Sequence, residues 1–105
     1  MTYVIPLFVI LEVSDFIDAN ISKEVEILFL KNVIKNFHIE FIENSDIERA
    51  IDILERYGSL KITFSDSIIA AISERLQTNN ILTFEPVNFI SIMPMGFKKF
   101  NILNN

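Results

Sequence analysis

Short apolar runs alternate with longer segments of helical spacing along most of this chain. Tyr3–Leu11 is continuously apolar and rich in β-branched residues, which predicts a buried strand in its first part that Pro6 caps or bends. The pattern turns polar and helical from Glu12 onward, so Glu12 is predicted at a strand-to-helix junction. Two further short runs, His38–Ile42 and Asn80–Phe84, are typical of strands.

Three segments between these runs have the periodicity of helices. Ile21–Phe37 carries apolar residues on more than one face, which predicts either a helix packed between core and neighbour or a helix that binds a partner. Ser45–Gly58 and Asp66–Leu76 are predicted as two further helices. Helices that alternate with short apolar strands indicate an α/β fold, here a three-layer α/β/α arrangement with a mostly parallel sheet.

The segment Ser45–Gly58 has the clearest helical pattern. Ser45 and Glu48 have the spacing of a capping box, and Gly58 is predicted to end the helix. The stripe that we expect to be buried comprises Ile47, Ala50, Ile51, Leu54 and Tyr57.

Composition predicts a single folded domain over residues 1–105. Half of the residues are hydrophobic, including ten Phe, and the chain has no Cys, so disulfide and thiol chemistry are excluded. No apolar run reaches the length of a membrane span, and the N-terminal residues lack the pattern of a signal peptide. We therefore expect a cytoplasmic protein without a membrane partner. The high apolar content predicts that a partner or a second copy covers part of the surface.

Two acids flank the elements of the segment Lys61–Glu85. Asp66 opens a predicted helix, where backbone N–H groups and the helix dipole favour a carboxylate. Glu85 follows the predicted strand Asn80–Phe84, and ligands of open α/β sheets bind beyond the carboxyl ends of strands. With Glu12, these acids predict a pocket for a divalent metal ion. Taken singly, each also fits an ordinary role as a helix-start, loop or surface acid.

Charge does not identify the partner. The net charge of −5 is unlike that of most nucleic-acid-binding proteins, which carry a basic patch. If Glu12, Asp66 and Glu85 bind a metal ion, however, the remaining acids nearly balance the bases. Arg75 could contact phosphate but is rather expected on a solvated face. His38 is expected to be structural because no second ligand lies at a suitable spacing.

An acid opens or follows an element in each of three blocks: YVIPLFVILEV, AIDILERYGSLKITFSDSIIAAISERL and ILTFEPVNF. In order and spacing these blocks resemble the PIN domain, the nuclease fold of the VapC-like toxins of toxin–antitoxin pairs. The resemblance covers almost the whole chain. The family begins with a further strand that ends in Asp and with helices after it, so the resemblance implies an N-terminally truncated PIN-like domain.

The resemblance implies a metal-dependent endoribonuclease that activates water against RNA phosphodiesters with Mg²⁺ or Mn²⁺. Glu12, Asp66 and Glu85 match the family's second, third and fourth acids, which are its metal ligands and catalytic residues. Hydrogen-bonding groups around these ligands would be Thr83, Ser65 and Thr63. The implied partners are RNA as substrate, an antitoxin protein and a second copy of the chain.

A second class of function stays open. A shortened domain can keep its packing surface and lose the metal ion. The chain would then act as a non-catalytic protein-interaction module or as a homo-oligomer.

Overall fold

The computed structural model describes residues 3–84 and 97–99, which form a mixed α/β fold. The elements are β1 (Val4–Pro6), α1 (Leu7–Asn20), α2 (Lys23–Asn36), β2 (His38–Glu40), α3 (Asn44–Tyr57), a short 3₁₀ turn (Gly58–Leu60), α4 (Phe64–Leu76), β3 (Leu82–Phe84) and β4 (Phe97–Lys99). The predicted α/β class is confirmed. Within these ranges, no helix combines the length and the apolar character that crossing a bilayer requires.

The parallel part of the sheet has β1 at its centre. β1 pairs with β2 along its whole length, but it meets the β3 side at one bridge, between Val4 and Ile81. The Val4 N–H donates to the Asn80 carbonyl at 2.8 Å, so Val4 faces β3, and Pro6, two residues on, faces the same way. Because Pro6 has no N–H, it cannot continue this ladder. The antiparallel strand β4 pairs with the other side of β3.

The strand predicted in the first part of Tyr3–Leu11 is β1, but the remainder of this apolar run is helical because α1 begins at Leu7. Pro6 is both the last residue of β1 and the N-cap of α1, with φ −65° and ψ 145°. The core side chains of α1 recur at helical spacing, and each is at most 2% exposed: Val9, Val13 and Ile17. The prediction that Glu12 lies at a strand-to-helix junction is therefore wrong, because Glu12 lies inside α1.

α3 is rotated about its axis relative to the prediction. Its buried residues are Asp46, Ala50 and Ile53, whereas three residues of the predicted stripe are exposed: Ile47, Ile51 and Tyr57. The capping box is likewise displaced, because it is formed by Glu43 and Asp46 instead of Ser45 and Glu48. The face of α3 that carries Asp46 packs toward α4, where Asp46 pairs with Arg75.

α4 contributes many of the core residues and packs against α3. Ile68, Ile69 and Ile72 are buried, and the small residues beside them are buried too. Ile5 of β1 and Ile81 at the β3 bridge complete the centre of the core.

Candidate functional site

The carboxyl ends of β1, β2 and β3 share one edge of the sheet because the three strands are parallel. The chain passes from β1 through α1 and α2 to β2, on one side of β1. It then passes through α3 and α4 to β3, on the other side of β1. The direction of winding therefore reverses between β1 and β3. Open α/β sheets bind ligands at this kind of switch point, outside the carboxyl ends of the strands.

An apolar groove lies among the residues that follow β1 and β2 and the residues that open α4. It encloses about 190 Å³ and is lined by Phe8, Ile42, Phe64, Ser65 and Ile68. Phe64 is 50% exposed, and Ser65 beside it is exposed as well. We call this feature the Phe64 groove. The lining residues that the structure describes carry one hydroxyl group and no charge.

Asp66 lies in the first turn of α4, so its predicted place at a helix start is confirmed. Its backbone N–H donates to Thr63 Oγ1 at 3.1 Å, and its Oδ2 accepts from the Thr63 N–H at 3.4 Å. This capping box holds the exposed carboxylate at the start of α4. The structure thus brings Thr63 and Ser65 to Asp66, and Asp66 Oδ1 accepts no hydrogen bond from the described residues.

Glu12 lies one helical turn after Phe8 and therefore on the same face of α1. Within residues 3–84 and 97–99, its carboxylate has neither a hydrogen-bond donor nor a cationic side chain as partner. Partial burial raises the pKa of Glu12 above its usual value because it removes water from the charged form. A nearby cation would favour the ionised carboxylate.

The lining of the Phe64 groove includes one residue close in the sequence to each of these two acids. Phe8 lines it one turn before Glu12, and Ser65 lines it as the residue before Asp66. The chemistry of both acids fits a hard divalent cation, since Mg²⁺ and Mn²⁺ prefer oxygen ligands and Mg²⁺ needs only one or two carboxylates. Across the described part of the chain, no three His, Cys, Asp or Glu side chains are grouped closely enough to hold a metal ion.

The other two predicted site residues belong to the end of β3. Thr83 lies in β3 and is half-buried. Glu85 follows Phe84, the last residue of β3, and lies outside the described residues. Its predicted part in the site stays a prediction.

Arg75 forms a second polar cluster that the sequence did not predict. Its Nε and Nη2 donate to the two carboxylate oxygens of Asp46, each at 2.9 Å. Its Nη1 donates to Glu40 Oε2 at 2.8 Å, and Nη2 also donates to the Phe41 carbonyl at 3.3 Å. Asp46 is only 2% exposed. The expectation of a solvated face for Arg75 is therefore wrong, because its guanidinium joins α4 to the end of β2 and the start of α3.

The carboxylates of this cluster stay ionised because of Arg75. Burial alone would raise the pKa of Asp46, but hydrogen bonds from Arg75 and from the Glu43 N–H lower it below its usual value. The pKa of Glu40 is lowered in the same way, against the effect of burial, by hydrogen bonds from His38 and Arg75. His38 Nε2 lies 2.8 Å from Glu40 Oε1, so its side chain extends the cluster. Since protein partners engage Arg75, the cluster stabilises the fold.

No protein-family model and no curated protein matches the sequence. The function of the chain is therefore inferred from the geometry at the carboxyl edge of its sheet.

Proposed function

We propose that this chain is a metal-dependent nuclease that cleaves RNA, with Glu12, Asp66 and Glu85 as ligands of Mg²⁺ or Mn²⁺. One observation carries the proposal. The Phe64 groove lies among the residues that follow the carboxyl ends of β1 and β2, and its lining includes Phe8, one turn before Glu12, and Ser65, the residue before Asp66. Glu12 supports it further, because its exposed carboxylate has no cationic partner among the described residues.

The proposal includes a PIN-like, three-layer arrangement. The connections β1–α1–α2–β2 and β2–α3–α4–β3 run in opposite directions across the sheet, since β2 and β3 lie on opposite sides of β1. Crossovers between parallel strands are almost always right-handed, so two crossovers in opposite directions put their helices on opposite faces of the sheet. The strand order thus supports α1 and α2 on one face and α3 and α4 on the other.

A bound divalent cation would polarise the scissile phosphate and lower the pKa of a water molecule. The chain's own residues hold and orient that site. The capping box fixes the Asp66 carboxylate at the start of α4 before any ligand arrives. The Ser65 hydroxyl, exposed beside it, can donate a hydrogen bond to a phosphate oxygen.

Calorimetric titration with Mn²⁺ tests this proposal directly. We expect the unmodified chain to release or absorb heat on binding, and Asp66→Asn to weaken the affinity by about 10-fold or more, since even outer groups of metal sites contribute about 10- to 100-fold. Asp52→Asn, a change of the same kind at an exposed position of α3, should bind as the unmodified chain does.

We also expect the unmodified chain to cleave RNA only when Mn²⁺ is present. Asp66→Asn should lose this cleavage together with the heat of Mn²⁺ binding. Asparagine keeps the size and one acceptor oxygen of the side chain, so α4 should retain its cap, and thermal unfolding checks this. Absence of heat from the unmodified chain, or the same heat from all three proteins, would contradict the metal site.

A second candidate function, a protein-interaction module, is favoured by the surface of α2. Val33 is the one side chain of α2 that is fully buried, whereas Ile27, Leu28 and Ile34 are exposed, Ile34 to 78%. Contiguous apolar residues on a helix surface mark sites of protein association. The candidate occupants are a second copy of the chain or a protein that neutralises it.

Sedimentation velocity over a range of concentrations distinguishes these occupants. If a second copy covers α2, the chain should sediment as a dimer, and Ile34→Lys should shift it to a monomer because a charge enters the apolar contact. Asn32→Lys adds the same charge at another exposed position of α2 and serves as the control. A monomer at every concentration would exclude the second copy.

A further inference from the structure

We propose that the Phe64 groove binds one unpaired nucleobase of the RNA, stacked on the ring of Phe64. This inference rests on the proposed nuclease function and deepens it, because it specifies single-stranded RNA as the substrate. Among the described residues, none that lines the groove is an acid, so neither Glu12 nor Asp66 is part of its lining.

The shape of the groove suits a single flat ring system. Its volume of about 190 Å³ lies below the roughly 300–1,000 Å³ of sites for drug-sized ligands. Two phenyl rings, Phe8 and Phe64, and two isoleucines form its walls. Phe8 packs against the core, whereas half of the Phe64 side chain is exposed, so Phe64 has surface available for stacking. Every nucleobase has a π-face that can stack on such a ring.

The distribution of charge favours a base over a phosphate inside the groove. The described lining residues are uncharged, and Asp66 directly follows the lining residue Ser65, so an anion there would be repelled. A neutral base avoids this repulsion, and the phosphate of the same nucleotide would lie toward the acids and their cation. The Ser65 hydroxyl provides a hydrogen-bond donor and acceptor for the polar edge of the base.

Binding of a short, fluorescently labelled single-stranded RNA, measured by anisotropy in EDTA at low salt, tests the inference without the metal ion. Phe64→Ala should weaken binding about 5- to 100-fold, the range found when a base loses its aromatic platform. Phe64→Tyr, which keeps the ring, should bind within about 2-fold of the unmodified chain, and so should Tyr57→Ala, which removes an exposed ring from α3.

An RNA with abasic positions separates stacking from other effects. The difference between the unmodified chain and Phe64→Ala should vanish with this RNA, since no base is left to stack. Equal weakening by Phe64→Ala and Tyr57→Ala, an unchanged difference with the abasic RNA, or no binding at all would overturn the inference. The anisotropy is measured in EDTA and the Mn²⁺ titration is made without RNA, so failure of the metal site and failure of the groove give different results.

Discussion

Replacing Arg75 with Met is expected to lower the free energy of unfolding by about 3–5 kcal/mol, as found when one partner of a buried ion pair is removed. The substitution keeps much of the side-chain volume but leaves the Asp46 carboxylate, 2% exposed, without its bidentate partner. Because small domains have a net stability of about 5–15 kcal/mol, this loss is a large fraction of the total. Urea unfolding measures it.

Arg49→Met provides the matched control. Arg49 pairs with Glu74 across the same two helices, but both side chains are more than a third exposed, so we expect a loss of at most about 1 kcal/mol. Adding Asp46→Asn to Arg75→Met should recover part of the loss, because it removes the unpaired charge. If the double variant is as unstable as Arg75→Met, the buried charge is not the cause.

The pH dependence of the same pair has a definite sign. Folding lowers the pKa values of Asp46 and Glu40, so their contribution is present above the ordinary values of about 4 and is lost as the pH falls below them. In Arg75→Met the Asp46 carboxylate lacks this partner. Protonation then removes the free-energy cost of burying its charge. The difference in free energy of unfolding between the unmodified chain and Arg75→Met should therefore narrow as the pH falls below about 4. A constant difference would argue against an electrostatic origin.

Ile72→Ala is expected to cost about 2–5 kcal/mol, because Ile72 of α4 is fully buried and its neighbours can collapse only partly into the space left. Ile51→Ala, in the middle of α3, removes the same atoms from a side chain that is about half exposed. We expect it to change stability by less than about 1 kcal/mol, since alanine also has the higher helix propensity. Similar losses in both variants would mean that burial does not determine the cost.

Local sequence pattern predicted most of the elements. The helix predicted over Asp66–Leu76 begins two residues earlier, at Phe64, and the predicted strand His38–Ile42 contains β2. α1 was mistaken for a strand because consecutive β-branched residues suit a buried strand and a buried helix equally. The spacing of Val9, Val13 and Ile17 and the position of Pro6 were the available signals for a helix that starts at Leu7.

The buried face of α3 could not be predicted from local spacing. It includes the charged residue Asp46, whose partner Arg75 lies 29 positions away in the chain. Nothing in the local spacing around Asp46 or Arg75 signals that pair. The candidate site was predicted in part: Asp66 is at a helix start, with Thr63 and Ser65 beside it. The place of Glu12 was wrong in detail, although the chemistry proposed for its carboxylate stands as a prediction. The Phe64 groove was missed because Phe8, Ile42 and Phe64 belong to three distant segments.

The missing N–H of Pro6 limits how β1 pairs with β3. A second backbone donor toward β3 would have to come from position 6, two residues beyond the Val4 N–H that donates to Asn80. Within the described residues, one bridge joins the two strands, at the end of β1 that lies away from the carboxyl edge. The choice of proline at position 6 thus removes a backbone donor from the edge of the sheet where the candidate site lies.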